Sequence, residues 1–166
     1  MKPLAIMMVG LPCSGKSTLL KTYFPHINVV SSDDHLMKIA KMNDLTYSQA
    51  FPDYYGMANL MFRAELAKAV VGKSSFAVDR TNLTRKSRGE ILRKISRERF
   101  TTIAIVCDLP APEILTPLLE QREREGKIIP VQAYEMMRKR YEPPTFDEGF
   151  DLIEEKSSFL KVDNPA

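Results

Sequence analysis

The ten residues Val9-Gly10-Leu11-Pro12-Cys13-Ser14-Gly15-Lys16-Ser17-Thr18 constrain this chain more than any other segment. They fit G-x-x-x-x-G-K-[S/T] and follow an apolar run, Leu4 to Val9, with the length of a buried strand. Strand, glycine-bounded loop and helix in that order make a phosphate-binding loop. The glycines let successive backbone N–H groups turn inward, and the helix that follows presents the positive end of its dipole. In such a loop Lys16 bridges the β- and γ-phosphates of a nucleotide, and the Ser17 hydroxyl ligates Mg²⁺. Gly10, Pro12, Cys13, Ser14, Gly15, Lys16, Ser17 and Thr18 are the expected contacts to ATP, and ATP and Mg²⁺ the expected cofactors.

The remaining pattern must build a sheet around that loop. Further short apolar runs stand at 27–30, 75–78, 101–107 and 150–153, and helical patterns lie between them. The helices are expected to begin at Lys16, near Asp34, near Tyr54, near Thr84, near Pro112 and near Val131. This alternation predicts an α/β fold of the P-loop kinase kind, a parallel sheet of about five strands flanked by helices, with a helical lid. A length of 166 residues, 44% hydrophobic and 27% charged, suits one domain over 1–166. Pro117, inside the helix expected from Pro112, predicts a kink or a start one turn later.

No apolar stretch is long enough to cross a bilayer, and the run at Leu4 is too short and too close to the loop to be a signal peptide. A soluble cytoplasmic protein with no membrane partner is expected; oligomeric state is not readable from the pattern. The two cysteines have no metal-ligand spacing. Cys13 is either a small loop filler or a thiol whose pKa the helix N-terminus lowers, and Cys107 reads as core. His26 and His35 have no partner pattern, which gives them surface or helix-start roles.

Ligands of an open parallel sheet bind beyond the carboxyl ends of its strands, so the residues just after each apolar run are the candidates for chemistry. After the second run comes Ser31-Ser32-Asp33-Asp34. Asp33 there is either a general base for an acceptor hydroxyl or a cap, and Asp34 reads as a helix N-cap. After the third comes Asp79-Arg80-Thr81-Asn82. Asp79 is either a carboxylate beside the Mg²⁺ ligand Ser17 or a turn former, while Thr81 and Asn82 either bond substrate or cap the next helix.

From Arg80 to Arg99, eight basic residues stand against two acids, and Arg80 and Arg88 are the candidates for gripping an acceptor. A solvated helix face competes with a phosphate-contacting surface for that stretch. The charged segment ending at Gly126 is the expected lid, about 122–130, and Arg124 is favoured over Arg122 as its acting residue because it lies nearer the glycine.

Together these residues resemble the polynucleotide 5′-hydroxyl kinase family, the kinase domains of phage, bacterial and animal end-healing enzymes. The resemblance rests on Gly10 to Thr18, on Ser31-Ser32-Asp33, on Asp79-Arg80-Thr81-Asn82 as the family's D-x-T-N, and on a lid followed by Pro130. The stretch from Tyr141 to Phe150 is similar to the tail of the animal domains. It implies an ATP-dependent kinase acting on the 5′-hydroxyl of DNA or RNA, with Asp33 as base and a lid arginine touching the moving phosphate.

Two positions depart from the family. Leu36 stands where phage and bacterial members carry an arginine, and Gly126 stands where the spacing from Arg122 expects another. The other acceptors compatible with the pattern are a hydroxymethyl pyrimidine in phage-type DNA and a small metabolite. A nucleotide-binding switch would not need Asp33.

Overall fold

The computed structural model describes residues 2–160, so the two ends of the domain expected over 1–166 lie outside the described residues. Five strands form one parallel sheet: β1 (Leu4–Val9), β2 (Asn28–Val30), β3 (Phe76–Val78), β4 (Thr101–Val106) and β5 (Leu152–Glu155), in the order β2-β3-β1-β4-β5. The helices are α1 (Lys16–Tyr23), α2 (Ser32–Met42), α3 (Tyr47–Val71), α4 (Arg85–Leu92), α5 (Pro112–Arg124), α6 (Val131–Lys139) and α7 (Lys156–Leu160). The expected α/β architecture is present.

Alternation along β1 explains the layers, because successive side chains of a strand face opposite sides of the sheet. Ala5, Met7 and Val9 pack with Phe62 and Leu66 of α3 and Ile91 of α4. Ile6 and Met8 pack with Leu19 and Leu20 of α1 on the other side. Being central and covered on both faces, β1 fixes the phosphate loop at its carboxyl end.

The starts of two elements differ from the sequence expectation. Helix α3 starts at Tyr47 instead of near Tyr54, because Thr46 and Gln49 form a reciprocal capping box. Pro52 is tolerated six residues in, at the loss of one backbone bond to Ser48. Helix α5 begins at Pro112 as expected, with Pro117 inside it and no start one turn later. The last strand is β5, two residues later than expected, since Phe150 turns into the core instead of joining the sheet.

Ser31 caps α2 by accepting from the Asp34 backbone N–H (3.2 Å), which corrects the expectation that Asp34 is the cap. Leu36 is fully buried between α2 and α3 with Ile39, Ala50 and Ala58. A charged side chain at 36 would have to be buried in that cluster, so the departure from the end-healing kinases is built into the packing.

Candidate active site

Gly10 opens the phosphate loop with φ +153°, and a Cβ there would lie 2.5 Å from the Cys107 carbonyl oxygen and 2.7 Å from Ser14 Oγ. Only glycine lets the loop pass that close to the end of β4. The Gly10 N–H donates to the Thr81 carbonyl (3.0 Å), the Pro12 carbonyl accepts from the Tyr134 hydroxyl of α6 (3.4 Å), and the Ser14 carbonyl accepts from Lys156 (3.1 Å). Lys16 folds over the loop, donating to the Leu11 carbonyl (2.6 Å) and to Ser14 Oγ (3.4 Å). Burial lowers its pKa, partly offset by the Asp79 carboxylate.

The Ser17 hydroxyl donates to Asp79 Oδ2 at 2.6 Å, while Thr18, next in the first turn of α1, faces solvent. Burial raises the Asp79 pKa, opposed by the Ser17 hydrogen bond and by Lys16. Hydroxyl and carboxylate together form an all-oxygen donor set of the hard kind that suits Mg²⁺. Among the described residues no three His, Cys, Asp or Glu side chains cluster to hold a metal.

Asp33 sits in the first turn of α2, where Oδ1 accepts from the Tyr47 hydroxyl at 2.9 Å. Its charge reaches both Lys16 and Asp79, so the base candidate and the phosphate loop share one electrostatic site. Asp34 is exposed beside it. Burial pushes the Tyr47 phenol well up, and Asp33 adds to that effect. Tyr47 therefore stays a neutral donor that holds the Asp33 carboxylate in place.

The segment expected as a lid packs on this same corner. The Ser48 N–H donates to the Gly126 carbonyl (3.0 Å) and the Ile128 N–H donates to Ser48 Oγ (2.8 Å). The Lys127 ammonium lies 5.3 Å from the Tyr47 ring centroid. Gly126 has φ +78°, and a Cβ on it would meet Thr46 at 2.8 Å, which is why the segment turns there.

The two lid arginines point in opposite directions. Arg122 is half-buried, its charge acts on Cys13, Lys16 and Tyr47, and its Nε is buried without a hydrogen-bond partner. Arg124 pairs with Glu120 one turn back (3.5 Å) with its side chain 76% exposed. Two residues along a helix turn through roughly 200°. The expectation that Arg124 folds inward is overturned: the face that turns toward the loop carries Arg122.

Two further expectations are corrected. Arg88 is 0% exposed. It donates to both carboxylate oxygens of Glu148 (2.7 and 2.8 Å) and to the carbonyls of Asn82, Glu142 and Pro143. It is a tail anchor with its donors spent, not an acceptor grip. Asn82 is buried too, with φ +47° and its Nδ2 donating to the Met8 carbonyl (2.7 Å), and Thr84 caps α4 instead. Thr81 and Asn82 thus tie β3 to the root of the phosphate loop.

Of the basic stretch, Arg85 and Arg97 pair with Asp147 and Asp151. Arg80 donates to the Tyr55 hydroxyl (3.0 Å) and lies 4.7 Å from the Phe62 ring centroid. Cys13 is not activated: burial raises its pKa despite Arg122 and Lys16. Cys107 is buried and pushed up to about 11. His35 contacts Glu65 at 2.8 Å, joining α2 to α3. No helix of the described residues is long and apolar enough to cross a membrane.

Tyr47, Ser48, Tyr134 and Lys156 were not among the sequence candidates. The capping box at Thr46 and Gln49 is the signal that could have found the first two. Nothing local marks the others, which reach the loop from distant elements.

A family profile described as an AAA domain matches residues 6–144. No curated protein sequence matches the chain. Among solved structures, a chain of the Pnkp1/Rnl/Hen1 RNA repair complex is 25% identical with a TM-score of 0.65, over 84% of this chain and 44% of that one. This chain thus spans less than half of that relative's length. A Chloroflexus aurantiacus J-10-fl protein with a provisional kinase description is 17% identical (TM-score 0.64) over 98% of this chain and 97% of its own. A gluconokinase from Sinorhizobium meliloti 1021 is 16% identical (TM-score 0.53) over 92% and 81%.

Proposed function

The chain belongs to the AAA domain family and has the fold of P-loop kinase-type phosphotransferases, and on that premise we propose that it is an ATP-dependent kinase of nucleic acid ends, moving the γ-phosphate to a 5′-hydroxyl of DNA or RNA. The observation that carries this reading is Asp33, fixed by the Tyr47 hydroxyl at 2.9 Å and electrostatically joined to Lys16. A switch that only binds nucleotide has no use for a carboxylate held in that place. An acceptor hydroxyl does, because its proton must leave as the oxygen attacks.

In this reading the loop N–H groups and Lys16 hold the triphosphate. Ser17, with Asp79 behind it, would hold Mg²⁺, which supplies charge neutralisation on the phosphate oxygens. Arg122 stabilises the charge of the group in transit, and the docked lid excludes water. The likeness to a chain of an RNA repair complex and the basic groups on the Arg80 side support a nucleic acid acceptor over a free metabolite.

The test is incubation with γ-labelled ATP and a panel of acceptors: 5′-hydroxyl DNA, 5′-hydroxyl RNA, hydroxymethyluracil DNA, nucleosides and sugars. Transfer to oligonucleotide ends is expected. Faster labelling of a sugar or free nucleoside would replace the reading with a metabolite kinase, and labelling of an internal hydroxymethyl base with a DNA-modifying kinase. Within that assay Asp33→Asn should cut transfer by about 10²–10⁴-fold while ATP affinity holds.

A further inference from the structure

Helix α3 carries Tyr47, Phe51 and Tyr55 at i, i+4 and i+8, so their rings lie one above another on one face. Phe51 and Tyr55 are stacked with centroids 4.5 Å apart and planes 21° from parallel, and Tyr47 leans on Phe51 at 5.9 Å. Rings of this size are ordinarily spent on the core, yet Phe51 is 42% exposed. The core of α3 is built instead from Ala50, Ala58, Phe62 and Leu66.

The ends of this row tie it to chemistry. At one end the Tyr47 hydroxyl holds Asp33. At the other the Tyr55 hydroxyl accepts from Arg80, which lines a cavity of about 160 Å³ with Phe62, Arg63, Ser87, Glu90 and Lys94. Three cations face one carboxylate there. From Tyr47 to Tyr55 the axis advances about 12 Å, longer than a single nucleoside. A row of aromatic rings, partly open to solvent at Phe51, leading from a general base to a cationic cavity matches a single strand that offers a hydroxyl, then bases, then phosphate.

We infer that the Tyr47–Phe51–Tyr55 face of α3 is the acceptor platform and that its occupant is the unpaired end of a single-stranded nucleic acid. Its leading bases pack against the exposed part of Phe51, and its first phosphates enter the cavity at Arg80. The inference rests on the nucleic acid reading above and adds how the strand is held. Because every base has a π-face, the platform is tolerant of sequence. Because position 36 of α2 carries a buried leucine and not an arginine, the aromatic row takes over the grip that a charge at that position would supply.

The experiment compares a short 5′-hydroxyl DNA oligonucleotide with the same strand made abasic at its first two positions, using the full chain. For wild type the abasic ends should raise the acceptor KM by about five- to a hundredfold, the range that stacking of one base supports. Phe51→Ala should raise the KM of the intact strand into the same range, with the ATP KM and Tm unmoved, and Phe51→Trp should restore it. Abasic strand should not distinguish Phe51→Ala from wild type. Arg63→Ala and Lys94→Ala should weaken both strands and flatten the salt dependence of acceptor KM.

If oligonucleotides are phosphorylated but neither the abasic ends nor Phe51→Ala changes KM, the platform is wrong and the kinase reading stands. If wild type phosphorylates no oligonucleotide, the reading fails and takes the platform with it. The abasic comparison needs no variant, so misfolding of Phe51→Ala cannot obscure the answer.

Discussion

At the contact between α4 and the turn before β5, the buried guanidinium of Arg88 meets the Glu148 carboxylate through two hydrogen bonds. At the mouth of the phosphate loop, Lys16 and Arg122 are withdrawn from water as well, yet neither meets a carboxylate at ion-pair distance among the described residues. The first charge has been given its partner by the chain. The second pair waits for one, and the ligand a kinase fold brings there is a polyphosphate. A desolvated cation with its donors spent is architecture; a desolvated cation with a donor to spare, such as Arg122 Nε, is a site. The two regions should therefore fail in opposite ways when cut.

Lys16→Ala is the largest expected effect on function. Loss of the ammonium should lower phosphate transfer by at least ~10³-fold, the upper range for one preorganised electrostatic contact. Tm should hold or rise, since burial already works against the charged form. Residual transfer within tenfold of wild type would remove the phosphate-loop assignment itself.

Arg88→Ala is the mirror experiment. Removing one partner of a buried pair leaves the other charge stranded, at a cost of about 3–5 kcal/mol. Thermal or urea unfolding should show that loss, while kcat per folded molecule stays near wild type. An unchanged Tm with lost acceptor binding would return Arg88 to the substrate side and break the comparison.

The comparison sharpens inside the lid. Arg122→Ala should lower kcat by about 10²-fold, and Arg124→Ala should leave it within about twofold, since an exposed i,i+4 pair contributes little. Steady-state kinetics on both variants decide it. Equal small effects would mean that the lid only shields the site from water.

How much of this could be read in advance depends on how far the chemistry reaches along the chain. The phosphate loop was legible because its function is written in contiguous backbone: glycines, a strand before and a helix after. The parallel sheet followed from the alternation of short apolar runs with helical patterns, and the placing of Asp33 and Asp79 beside the loop from the rule that strand ends face ligands. Arg88 was misread because a basic run shows no sign of its partners fifty to sixty residues away, Asp147, Glu148 and Asp151. Arg124 was preferred over Arg122 by distance to a glycine, whereas helix phase decides which of the two turns inward. The start of α3 lies seven residues before the expected one because the capping box of Thr46 and Gln49 begins the helix ahead of Pro52. With that helix seven residues short, Tyr47 could not be linked to Asp33.

The smallest effect belongs to the outer part of the α4 clasp. Arg85 and Asp147 are paired at 2.6 Å in open solvent. Hydrogen bonds from Arg85, then Thr145, lower the Asp147 pKa to about 2. A carboxyl held below its unfolded value of about 4 stabilises the fold above that value, and the contribution is lost as pH falls through the folded value. The Tm difference between wild type and Asp147→Asn should therefore be small but present at neutral pH, shrink as pH drops from about 4 toward 2, and fade in about 1 M salt. Arg88→Ala should keep its Tm deficit at the same high salt, because a pair out of water is barely screened. If the two deficits faded together, Arg88 and Glu148 would be behaving as a surface pair, and the distinction between a satisfied buried charge and a waiting one would lose its structural half.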